Sequence, residues 1–135
     1  MEDAVAHGQR TIFGRLGPPP LPAFVLHTGD LFVSQGAPFC DTTAGGSIKE
    51  WDATVQKALQ LDFDTVIPGH GAVTDKAGLK TYRDNVEKLR TRVSGLIHEG
   101  KTQDDVGKVL TAEYGWQPNS LNMQWSLPGM MRELK

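Results

Sequence analysis

Leu61-Asp62-Phe63-Asp64-Thr65-Val66-Ile67-Pro68-Gly69-His70-Gly71 is a β-branched run cut short by proline and glycine. Asp64 to Ile67 read as a buried strand, because branched side chains suit a pleated, packed surface. Pro68 and the Gly69-His70-Gly71 triplet stop it sharply and leave one imidazole between glycines at the strand end. On the N-terminal side, Ser47-Ile48-Lys49-Glu50 spells a capping box. Ile48, Trp51, Val55, Ala58 and Leu59 follow as the apolar stripe of a helix ending near Leu61. On the C-terminal side, Thr74 or Asp75 can cap the longest helix, whose stripe is Leu79, Tyr82, Val86, Leu89, Val93, Leu96 and Ile97. Gly100 is its natural stop.

Further out, Ala23-Phe24-Val25-Leu26-His27 has the length of a strand. Thr28-Gly29-Asp30 breaks it, and Leu31-Phe32-Val33 forms a second short apolar piece. Residues 34–46 hold Gly36, Pro38, Gly45 and Gly46 and read as a long loop, of the kind that tends to be functional or mobile. Thr102 can cap a third helix, with Asp104 and Asp105 at its positive end and Val106, Val109 and Leu110 facing inward. Gly115-Trp116-Gln117-Pro118 ends it, and residues 116–135 form a partly helical tail that Pro128 opens or kinks. The order strand, loop, helix, strand, helix, helix predicts an α/β or α+β architecture. Residues 1–22, with Gly8, Gly14, Gly17 and Pro18-Pro19-Pro20-Leu21-Pro22, read as a poorly ordered lead-in; a proline-rich docking peptide is the alternative.

At 135 residues the chain has the length of one ordinary domain. Lys plus Arg is 14 and Asp plus Glu is 16, so no basic excess argues for nucleic acid. Mean hydropathy is −0.34 and no apolar run approaches the ~18 residues of a membrane span, so no membrane partner is expected. Met1 to Arg10 carries Glu2 and Asp3 and lacks the apolar stretch of a secretory signal, which makes a cytoplasmic location the default. The single cysteine, Cys40, excludes an internal disulfide and a cysteine-rich zinc module.

Two turns carry metal-competent side chains: Thr28-Gly29-Asp30 and Pro68-Gly69-His70-Gly71. A carboxylate and a neutral imidazole both suit zinc, manganese or iron, and strand ends are where such sites assemble. Taken singly, each is an ordinary turn residue. The other histidines have structural readings: His27 packs or hydrogen-bonds on its strand, and His98 suits the negative end of the long helix. Cys40 reads as a loop bystander. Arg83, Lys88, Arg90 and Arg92 form the solvated face of the long helix, and Trp51, Trp116 and Trp125 are packing residues. Trp116 and Trp125 alone could also border a substrate.

Val25-Leu26-His27-Thr28-Gly29-Asp30-Leu31-Phe32 resembles the strand and turn that deliver the bridging aspartate in the metallo-β-lactamase superfamily. Pro38-Phe39, Gly45-Gly46-Ser47 and Trp51 resemble the loop and helix that follow, and Leu61 to Gly71 is similar to the last metal-binding turn. The resemblance covers about residues 23–115 in the family's order. It implies the C-terminal half of an αββα sandwich with extra C-terminal helices, and a dinuclear centre, usually zinc. Asp30 would bridge the metals and His70 would bind the second. A hydroxide between them would be the nucleophile of a hydrolase acting on an unknown small molecule.

The family's His-x-His-x-Asp-His motif is absent. The four histidines are His7, His27, His70 and His98, none of them spaced His-x-His. The chain therefore looks like a fragment, the second half of such a protein. Two ligands fall short of the three a catalytic zinc takes, so the chain is expected to be inactive by itself. The alternatives are an enzyme completed by another chain, and a non-catalytic helical interaction module. A thin sheet under three amphipathic helices should also leave an apolar face open on the helix of 47–61 or that of 75–99, and so favour self-association.

Overall fold

The computed structural model describes residues 2–6, 9–16, 23–33 and 37–135, with strand placement alone before Phe24. His7 and the Pro18–Pro22 run lie outside the described residues. The elements are β1 (Glu2–Ala6), β2 (Gln9–Leu16), β3 (Ala23–Val33), α1 (Ile48–Leu59), β4 (Thr65–His70), β5 (Thr74–Asp75), α2 (Lys76–His98), α3 (Gln103–Tyr114) and α4 (Leu127–Glu133). The fold is mixed α+β, as the sequence predicts. The strands form one sheet in the order β1-β2-β3-β4-β5. Among the described strands only β3 and β4 are parallel neighbours, joined through α1; the other pairs are antiparallel.

Three boundaries differ from the sequence reading. Residues 2–6 and 9–16, expected as an unordered lead-in, are paired strands, and β2 extends the sheet beside β3. The chain from Ala23 to Val33 is one strand, with register shifts about Gly29. β4 runs through Pro68 to His70, because proline is tolerated where the ladder does not need its N–H.

The helix ends follow local chemistry. Ser47 accepts the Glu50 N–H at 3.2 Å, Asp75 the Gly78 N–H at 2.8 Å, and Thr102 the Asp105 N–H at 3.2 Å. Gly115, at φ +70°, closes α3 in the left-handed region. One face of the sheet presents Leu26 and Val66 to the helices, where they join the core with Val55, Leu79, Val93 and Leu110. The opposite face carries half-buried Val25, Thr65 and Ile67 and exposed His27.

The apolar stripes of α1 and α2 are covered, contrary to the expectation of an open helix face. Ile48, Trp51, Val55 and Ala58 are buried, and so are Leu79, Tyr82, Val86, Leu89, Val93 and Leu96. The tail supplies part of the cover: Trp116, Leu127, Met130 and Leu134 belong to the same core. Glu133 on α4 accepts the Ile48 N–H at 2.8 Å, placing a carboxylate at the positive end of α1. Asn122 to Ser126 wind as a π turn that ends two residues before Pro128, which has no N–H to give an α-helical bond. Among the described residues no helix is long and apolar enough to cross a membrane.

Candidate functional site

The strand ends bring the two sequence-predicted ligands together. His70 Nε2 lies 3.1 Å from Asp30 Oδ1, and both side chains open to solvent, 70% and 53% exposed. β3 and β4 run parallel, so their C-terminal ends finish at the same edge, with Gly29 opposite Pro68 and Val33 opposite His70. Gly29 sits at φ +54°, at the register shift in β3 just before Asp30, while Gly71 at φ +100° carries the chain away after His70.

The turn is held from three sides. Buried Thr28 directs its hydroxyl at the Gly29 carbonyl (3.2 Å) and the Ile67 carbonyl (3.3 Å), tying β3 to β4 just below the pair. The Gly29 N–H donates to His27 Nδ1 at 3.2 Å, which fits the expected hydrogen-bonding role of His27. Gly69 packs on the turn so closely that a Cβ there would stand 2.5 Å from both Asp30 Oδ1 and the Gly29 carbonyl carbon. The sequence reading gave Gly69 a role in turning the chain; its role as the floor beneath Asp30 needs two strands in register and has no local signal.

An aspartate oxygen and an imidazole nitrogen at this distance can share a proton, or direct lone pairs at one cation. Among the described residues no three of His, Cys, Asp and Glu converge on a metal-sized space. The pair therefore supplies two donors and does not fit a complete dinuclear zinc centre by itself. Cys40 does not add a third. It is buried, its N–H donates to Ser126 Oγ at 2.9 Å, and burial, with help from Glu133 and Asp41, pushes its thiol up to about 12. A thiol so disposed stays protonated at neutral pH and is a poor ligand. His98 sits in the last turn of α2 with Nδ1 2.7 Å from the Ser94 carbonyl, which agrees with its structural reading.

The arginines of α2 are occupied by acids. Arg83 meets Asp52 at 2.6 Å, Arg92 meets Glu113 at 2.8 Å, and Arg90 pairs with Glu87. A cleft of about 640 Å³ lies between α2, the end of α3 and the loop at Ala37-Pro38, with Tyr82, Lys88 and Trp116 in its walls. Trp116 thus borders a cavity as well as the core. Trp125 is half exposed and is absent from that wall. Comparison with protein-family models and with curated proteins found no match.

Proposed function

We propose that residues 23–115 carry the bridging-aspartate and last-histidine positions of a metallo-β-lactamase-type zinc hydrolase, with Asp30 and His70 as two of its metal ligands. The observation that supports this reading is the 3.1 Å approach of Nε2 to Oδ1 at paired strand ends, on a floor that only glycine fits. On this reading the described residues hold an incomplete ligand set, and the chain alone does not hydrolyse. Activity on a small molecule requires donors from another chain or a second protomer. The fold does not choose among lactams, thioesters and phosphodiesters, which one family of sites can cleave.

The test is complementation. The chain is mixed with zinc and a fragment bearing His-x-His-x-Asp-His, and metal uptake is followed beside hydrolysis of a panel of those three bond types. Uptake should rise with the fragment and fall back in Asp30→Ala and His70→Ala. A rise indifferent to both substitutions, or no rise, overturns the assignment.

A further inference from the structure

We propose that the cleft between α2 and the α3–α4 connection is a binding site for a small organic anion with an aromatic body. Its volume, about 640 Å³, lies in the range of small-molecule sites. Tyr114 supplies open aromatic surface, and Tyr82 and Trp116, mostly buried in the core, back the same wall. The walls are fixed before any ligand arrives. The Trp116 N–H donates to the Leu110 carbonyl at 3.2 Å, just after the left-handed Gly115. Asn122 ties the opposite rim by donating to the Pro38 carbonyl at 2.6 Å and the Ala37 carbonyl at 3.2 Å.

The charge of the site sets the ligand class. Lys88 is the one charged residue in the described wall, and no carboxylate joins it there. Its neighbours do not neutralise it: Glu87 is taken by Arg90, and among the described residues neither Asp84 nor any other acid pairs with Lys88. Asn85, also in the wall, adds amide donors beside it on α2. An ammonium and amides at the mouth of an aromatic slot favour an aryl carboxylate over its neutral counterpart. Neither Asp30 nor His70 lines this cleft, so the site stands apart from the proposed metal ligands.

Naphthalene-2-carboxylate and naphthalene-2-methanol, titrated into the full chain by calorimetry, separate charge from shape. The carboxylate should bind saturably and about threefold to fivefold more tightly than the alcohol, the scale of one solvent-exposed ionic contact. Lys88→Gln, at an exposed position, should remove that preference and leave the melting temperature unchanged. Asp30→Ala should leave binding intact. Absence of saturable binding, a preference that survives Lys88→Gln, or loss of binding in Asp30→Ala would each overturn the proposal.

Discussion

Gly69 leaves no room for a side chain beside Asp30: a Cβ would lie 2.5 Å from Oδ1, with the Gly29 carbonyl oxygen at 2.6 Å. Two of the atoms it would meet are backbone, which cannot swing aside as a side chain can. The glycine lets two parallel strand ends approach until an imidazole and a carboxylate meet.

Gly69→Ala should therefore cost stability and spoil the pair together. Overpacking of this kind costs about 1–3 kcal/mol. Urea denaturation reads the first effect. The second appears as altered His70 imidazole resonances in the folded protein. Unchanged stability with an unchanged His70 signal would show that the strand ends are looser than this contact.

The loop after β3 is held by the C-terminal segment, through the end of the π turn and through α4. Ser126 accepts the buried Cys40 N–H at 2.9 Å, and exposed Arg132 reaches Thr42 at 2.8 Å. Ser126→Ala strands a buried donor and should cost about 1–3 kcal/mol. Arg132→Ala gives up a contact that water replaces and should stay within about 0.5 kcal/mol. The two midpoints, measured side by side, check the order; equal losses would contradict it.

Stability should fall on the alkaline side. Burial raises the Cys40 thiol from 9.0 to about 12, and burial raises Tyr82 from its ordinary value as well. The native state then holds protons that the unfolded chain releases. The contribution of Cys40 is full below pH 9.0 and is lost progressively between 9.0 and about 12. Cys40→Ala should lose less stability than the parent chain between about pH 8 and about pH 10.5. On the acid side the sign reverses. The Thr43 hydroxyl lowers Asp41 and the Arg92 guanidinium lowers Glu113, so their contributions exist above the ordinary carboxylate values and vanish as pH falls through the lowered ones.

What could be read in advance was local. Ser47, Asp75 and Thr102 cap their helices because capping is decided within one turn. The stripes of α1 and α2 are buried where the 3.6-residue period puts them. The convergence of Asp30 and His70 followed from the family resemblance, since neither turn alone points to the other. The rest depended on distant partners. β2 is a strand because β3 is beside it, and nothing between Gln9 and Leu16 announces that pairing. The cover over α1 comes from a tail that follows all three longer helices, so counting strands against helices predicted an open face that Leu127, Met130 and Leu134 close. Lys88 read correctly as exposed, but its place on a cleft wall is set by Trp116 and Pro38, far away in sequence.

Zinc titration of the chain alone reads the capacity of the Asp30–His70 pair without any added donor. With Asp30 and His70 in contact and no group of three His, Cys, Asp or Glu among the described residues, binding should be weak, with less than one equivalent held tightly. That weak binding should disappear in both Asp30→Ala and His70→Ala. One tightly held equivalent that survives His70→Ala would contradict both the ligand assignment and the incompleteness of the site.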